Sequence, residues 1–582
     1  MDLNMSPANK SNKRSLNLSK PFISLSNWMR YAALGVVSAT LLTAAPVKAA
    51  EEIFFLFGPF KIPLRVSSLE TFAKDGKIEK DLELFLGRAT PEQQAVFRAA
   101  LLKPAKVDPV LLSRFFYSAL GEAGLTRLGR GITLDGGVNG KFGLRAAIVQ
   151  AAFEPQGLTL LNVFKKFPTN IEFQGEIILA VAEFGEKLVR ATELLTSKMQ
   201  EWSMAEAADA PSIDFSKMTD LRQPGTYGVR PKEVWVLNDS SRNRQFYVDV
   251  YKPQKFRSGK TPVVVVSHGF ASRPEDFSAG AEHMASYGYV VVLPQHPGSD
   301  KIWINEFKQG LHRNTFDVNE FINRPKDISY TIDELGRRNQ SEFQGLLNLE
   351  SVGVAGHSFG GYTALAIAGA EIDFENLEID CKKDGQGLNI SLLLQCRALE
   401  LPRQAYDFRD RRVTAVFAAN PVNSSIFGKP GLNKIEIPVL VAGGNYDPAA
   451  PFVAEQARTF PWLSSTRGFN NLGTQNNKFL VLVEGQAHVD FSKLDPGVLT
   501  AIESVDKIAL PSPFLIRSYT AALLTAFFGT YLDNPEVYKP YLQSAYSVYL
   551  SQGEQFKMFL ITSASSEKLS QAIADFKRQN NL

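Results

Sequence analysis

Cysteine occurs twice in 582 residues and histidine six times, and that scarcity excludes several kinds of function. Neither type recurs at the short spacings of a metal-ligand set, so no metal is expected and no cofactor is called for. Charge of one sign is lacking too: 63 Lys and Arg stand against 60 Asp and Glu. Six of those bases and one acid fall in residues 1–49, which leaves the rest close to neutral and slightly acidic. Nucleic acid is therefore not expected as a partner. No repeat of fixed period is visible, which excludes a solenoid. The apolar run "YAALGVVSATLLTAA" from Tyr31 falls short of the ~20 residues that a membrane-spanning helix needs.

That run has another reading. A basic, Ser/Asn-rich start, the apolar stretch and then "PVKAAEE" with small residues form the layout of a secretory signal cleaved after Ala49; an uncleaved anchor is the alternative. Export would place Cys381 and Cys396 in an oxidising compartment, within the one polar insertion "CKKDGQGLNISLLLQC". A disulfide is expected there, with two free buried thiols as the alternative.

Length and the 45% apolar content allow two to four domains. Behind residues 1–49, residues 50–210 read as a mainly helical domain. It opens on a hairpin, "IFFLFGPFKIPLRV" (Ile53 to Val66), broken at Gly58 and Pro59. Thr90 with Pro91 and Gln93, and Asp108 with Pro109, start helices as caps with a first-turn proline. Helical periodicity also covers Gly143 to Phe153, Leu158 to Phe164 and Glu176 to about Trp202. Residues 211–231, punctuated by Pro211, Pro224 and Gly225, read as a linker or extended arm. From residue 232 to 582 the texture changes to apolar strands such as "PVVVVSHGF" and "YVVVLPQHPG" alternating with helices. This indicates an α/β fold with a mostly parallel sheet covered on both faces. Insertions near 298–324 and 371–411 interrupt the alternation at the end where ligands bind in open sheets. They read as lids or as solvated surface elaboration. The stretch Pro513 to Leu532 is apolar enough for peripheral membrane contact, but Arg517 and its place late in the chain favour a helix packed on the sheet.

The stretch "SVGVAGHSFGGYTALAIAGA" carries a G-x-S-x-G pattern centred on Ser358, for which chance alone gives roughly 0.2 matches in a chain of this length. Context decides the matter. A strand runs into the pattern and a helix leaves it, so a sharp turn at Ser358 would lift its hydroxyl above the sheet, with Gly356 and Gly360 sparing the turn two Cβ atoms. A serine hydroxyl needs a base. Of the six histidines only His488 follows Ser358, in "LVEGQAHVDF". Asp447, in "IPVLVAGGNYDPAAP", follows the preceding strand by a short turn and completes the order Ser, Asp, His. Asp490 and Glu484 are the competing carboxylates, and a turn-capping role beside Pro448 is the other reading of Asp447. An oxyanion hole would use the backbone N–H groups of Phe359 and Phe270, with His268 and Gly269 shaping the second loop.

Together "SHGF", "GHSFGGYTAL", "GGNYDP" and "GQAH" resemble the α/β-hydrolase superfamily, in particular the branch of platelet-activating-factor acetylhydrolases and dienelactone-hydrolase-like esterases. The likeness spans about Lys232 to Phe528. The front region is similar to the N-terminal domain of a group of exported bacterial hydrolases of undefined role. The resemblance implies a triad of Ser358, Asp447 and His488 that hydrolyses a small-molecule or lipid acyl ester through an acyl-enzyme. One departure stands out: where the acetylhydrolases carry their acid, "AVFAANPVNSS" has Asn420. A peptidase or other acyl-transfer enzyme and a catalytically silent binding module are the competing expectations.

Overall fold

The structure is a computed structural model that describes residues 49–383, 389–464, 478–488 and 510–582. The expected signal segment up to Lys48 and the competing acid Asp490 lie outside the described residues.

The expected hairpin forms from β1 (Glu52–Phe57) and β2 (Phe60–Arg65), with Gly58 at φ 53° in the turn. It belongs to a larger unit. Strands β3 (Ile132–Leu134) and β4 (Ile171–Gln174) complete a four-stranded sheet in the order β2-β1-β4-β3, with β4 parallel to β1. At three and four residues the two added strands are too short for an alternation signal. Seven helices between Val66 and Lys166 pack around this sheet. Thr90 and Gln93 form the reciprocal capping box, and Asp108 accepts from the Leu111 amide at 2.7 Å. Val66, Leu69, Phe72, Leu125, Phe167 and Ile171 are among the buried residues that fill the core of this region.

A 35-residue helix, Gly175–Asp209, then leaves the front sheet. Its C-terminal part buries Leu195, Met199 and Trp202 in the core of the second sheet. The following arm has a short turn at Phe215–Lys217, where Phe215 packs against Tyr541, Tyr546 and Tyr549, and a second at residues 220–223, where the Gln223 amide donates to the Asp220 carbonyl at 3.0 Å.

The second sheet has nine strands: β5 (Glu233–Asp239), β6 (Arg244–Tyr251), β7 (Thr261–Ser267), β8 (Val290–Pro294), β9 (Leu347–His357), β10 (Val413–Ala419), β11 (Val439–Gly444), β12 (Lys478–Val483) and β13 (Met558–Thr562). Their order is β13-β12-β11-β10-β9-β7-β8-β6-β5. The six strands from β7 to β12 are parallel, β6 and β13 run against them, and β5 pairs antiparallel with β6 at the edge. β13 adds to the far side of β12, so the strand that precedes His488 is not the last of the chain. Val263, Val265, Val292 and Val354 line one face of the sheet, and Val264, Val291, Val481 and Phe417 line the other. Burial on both faces explains why these strands read as continuous apolar runs. Helix Pro513–Phe528 packs on the second face, with Phe527 set edge-on to Phe417 and Phe479. Among the described residues no helix is long and apolar enough to cross a membrane.

Both insertions meet the front helices. The Lys308 carbonyl accepts from Arg114, Asn314 Oδ1 accepts from the Ala119 amide at 3.0 Å, and the Tyr117 carbonyl accepts from Arg313 at 3.4 Å. In the second insertion Cys381 and Cys396 form the expected disulfide, tying helix Phe374–Lys382 to helix Ile390–Cys396.

Candidate active site

Parallel pairing brings the C-terminal ends of β9, β10, β11 and β12 to one edge of the sheet, with His357 opposite Ala419 and Ala419 opposite Ala442. Ser358 follows β9 directly at φ 58° and ψ −118°, and helix Phe359–Ile367 starts immediately behind it. Positive φ at a residue with a Cβ is strained, so the surroundings must hold it. The Ser358 amide donates to the Ala419 carbonyl at 2.9 Å, and its own carbonyl accepts from the Gly361 amide at 2.9 Å. The two glycines make the turn sterically feasible. A Cβ on Gly356 would stand 2.0 Å from the Gly360 carbonyl oxygen, and one on Gly360 would stand 2.0 Å from that of Ser267.

The three residues that the sequence scatters over 131 positions meet here. His488 Nε2 lies 2.8 Å from Ser358 Oγ, and His488 Nδ1 lies 2.7 Å from Asp447 Oδ2. With Nδ1–H donating to the carboxylate, Nε2 is left to accept the serine proton. Asp447 also caps its turn, because Oδ1 accepts the Ala449 and Ala450 amides at 2.9 and 2.8 Å. The turn-capping role and the role toward histidine therefore coexist, one on each oxygen. Burial pushes the Asp447 carboxyl up, but the charge and hydrogen bond of His488, the Ala450 amide and Asn420 more than offset this, and the net shift is downward. Glu484 faces elsewhere and accepts the Lys557 amide at 3.0 Å beside β13.

Phe359 N–H opens the helix behind Ser358, and Phe270 N–H lies in the loop after β7; neither has an acceptor among the described residues. Gly269 is close to the serine: a Cβ there would come within 3.3 Å of Ser358 Cβ and of His357 Nδ1. His268 is fully buried, donates from Nδ1 to the Gly269 carbonyl at 2.8 Å and accepts the His296 amide on Nε2 at 3.1 Å. It shapes the loop and does not face the serine.

Several residues around this loop carry no sequence signal. Arg324, fully buried, donates to the carbonyls of His268 and Gly269 at 2.6 and 3.3 Å and lies 4.4 Å from the centre of the Phe359 ring. The Gly269 carbonyl belongs to the same peptide as the Phe270 N–H, so Arg324 fixes that peptide plane. Phe316 packs edge-on against both Phe270 and Phe359. A second chain of the same residue types runs beneath: Ser267 Oγ to His296 Nε2 at 2.9 Å, and His296 Nδ1 to Asp327 Oδ2 at 2.9 Å. All three side chains are buried, so no substrate reaches them and their connectivity is structural. His357 likewise holds the backbone of the base, donating from Nε2 to the His488 carbonyl at 2.9 Å. Asn420, at φ 44° on the end of β10, donates to Asp447 Oδ2 at 2.7 Å.

Residues 49–174 match the family described as "Alpha/beta hydrolase of unknown function (DUF1400)", and residues 217–381 match the family described as "Chlorophyllase". The chain has the fold of an α/β hydrolase. No curated protein matches it. In this α/β hydrolase the chlorophyllase-like segment contains Ser358, Phe270 and Phe359 but ends before Asp447 and His488, and the other matched segment contains none of these residues.

Proposed function

We propose that the protein is an exported serine hydrolase of carboxylic esters, acting on lipid acyl esters through an acyl-enzyme. The observation that carries this reading is the unbroken chain from Ser358 Oγ through the His488 imidazole to the Asp447 carboxylate. In this mechanism His488 Nε2 takes the serine proton as Oγ attacks the ester carbonyl. Asp447 stabilises the imidazolium that forms, and the Phe270 and Phe359 amides receive the developing oxyanion. Collapse expels the alcohol, which takes the proton from His488. Water then repeats the sequence on the acyl-enzyme, releasing the acid and restoring Ser358.

Each side chain here acts where the fold already holds it. The disulfide favours an oxidising compartment, which agrees with the signal-like residues 1–49. The likeness to platelet-activating-factor acetylhydrolases supports the ester class only, because their acid position is occupied by Asn420. The match to the chlorophyllase family adds chlorophyll to the substrates worth testing.

Ser358→Ala should remove hydrolysis of a short activated ester and labelling by a fluorophosphonate probe while the thermal melt stays unchanged. Retained labelling or turnover in the folded variant would refute the assignment. Matched ester and amide substrates separate an esterase from a peptidase, and a wild-type chain that takes no label would point to a silent binding module.

A further inference from the structure

A cavity of about 670 Å3 lies between the front sheet and the disulfide-bearing insertion. One side is cationic: Arg127 and Arg130 from helix Ala119–Gly131, and Lys382 and Lys383 from the end of helix Phe374–Lys382. The other is apolar, with Ile177, Ala180 and Val181 of the long helix spaced so that they share one face. No carboxylate lines it among the described residues.

The neutral polar groups of the lining are already used. Asn139 donates to the Thr126 carbonyl at 2.9 Å and accepts the Lys141 amide at 3.0 Å, and Thr133 accepts from Gln174 at 2.9 Å. The lysines are tied to Glu378 and Asp380, at 2.6 Å each. Arg127 is different. Its Nη1 is buried with no hydrogen-bond partner among the described residues, and Nη2 meets only Cys396 Sγ at 3.5 Å, a weak acceptor. Burial and the charge of Arg130 both press against its positive charge. A half-buried guanidinium is normally paired with a carboxylate or phosphate, and none is within reach of Arg127 among the described residues.

We propose that this cavity binds an anionic amphiphile, its single carboxylate or phosphate head on Arg127 and its alkyl chain along Ile177, Ala180 and Val181. The guanidinium fork matches either head, and a volume of this size suits a small ligand. The inference does not rest on the reading of Ser358, since neither Ser358, Asp447 nor His488 lines the cavity.

The test is equilibrium dialysis of the full chain with laurate, dodecyl phosphate, dodecanol and inorganic phosphate. It is run on wild type, Arg127→Glu, Arg127→Lys and the Lys382→Glu/Lys383→Glu double variant. Wild type should hold laurate or dodecyl phosphate roughly tenfold or more tighter than dodecanol, and the tighter of the two anions identifies the head. Arg127→Glu should lose at least about tenfold of that affinity with an unchanged melt, and Arg127→Lys should retain most of it. Dodecanol bound as tightly as laurate, or Arg127→Glu binding laurate and dodecyl phosphate as wild type does, would overturn the proposal. Should Arg127→Glu fail to fold, the exposed lysine pair decides: reversal of both charges must weaken anion binding, and unchanged binding overturns the site. Because the melt reports folding independently of turnover, an inactive Ser358 would leave this outcome readable.

Discussion

Asp447 divides its oxygens between the turn that carries it and the imidazole it orients, and Oδ2 is shared with Asn420 at the same 2.7 Å as with His488. An amide donor on a carboxylate oxygen lowers its basicity and fixes its plane. Asn420→Ala should therefore reduce kcat about tenfold with little change in KM, because a positioning contact is lost while substrate contacts remain. Asp447→Asn should cost much more, about 10³ to 10⁴ in kcat, since an amide leaves His488 in the wrong tautomer. Steady-state kinetics on one short ester reads both, and equal effects would show that Asn420 is not subordinate to Asp447. The meeting of Ser358, Asp447 and His488 was legible in the sequence because the G-x-S-x-G pattern marks one strand end and the chain order Ser, Asp, His places the other two after later apolar strands. Asn420 registered only as a missing acid. Arg324 gave no signal, since its partners are carbonyls of residues 268 and 269, and backbone acceptors leave no mark on the sequence.

At the scale of elements, the turn at Ser358 is held by contacts too close for a methyl group. Gly360→Ala would place a Cβ 2.0 Å from the Ser267 carbonyl oxygen and 2.8 Å from that of His268. Those atoms belong to the strand end that precedes Phe270, so relief must move the serine or the loop that faces it. The variant should lose about 10² or more in kcat and about 1–3 kcal/mol in stability; kinetics and urea unfolding of the same preparation measure both, and an active, stable variant would show that the elbow yields. The disulfide spans 15 positions, for which loop closure is worth about 3 kcal/mol in the chain-entropy model. Parallel strands buried on both faces were legible as apolar runs. β3 and β4 were not, because three or four residues carry no periodicity, and β13 passed unread because it follows a long helical stretch as a lone edge strand. The insertions were legible as interruptions only. Their contacts with Arg114, Tyr117, Ala119 and Arg127 bridge positions some 190 to 270 apart, which no local pattern reports.

Across the whole molecule, the histidines impose a pH dependence that carboxylates alone would not. His268 and His296 are buried by the fold, and His357 is half-buried behind the serine. Burial, then the charge of Arg324, lowers His268 well below its usual value and His296 to about 3. Burial, then His488, lowers His357 to about 3. His283 is lowered as well, by burial. In the unfolded chain each would titrate near 6.5. The stabilising balance is thus complete above pH ~6.5, and it is lost as the pH falls from there toward the folded values, because only the unfolded chain takes up the protons. Well below pH ~6.5 each of His268, His296 and His357 should cost up to about 1.4 kcal/mol per pH unit, offset in part by the buried Glu320 carboxyl, which burial raises to about 7 and which therefore gives up a proton on unfolding. Urea midpoints measured at pH 7, 6 and 5 should therefore fall, and unfolding near pH 5 should take up protons on these histidines, about three less the roughly one that Glu320 releases. His357→Asn keeps a side-chain donor near the His488 carbonyl and should remove about one of those protons, flattening the slope without abolishing ester hydrolysis. Flat midpoints from pH 7 to pH 5 would mean that these imidazoles reach water in the folded state, and the network beneath the Phe270 loop would then not be the rigid support that the proposed oxyanion role of the Phe270 amide requires.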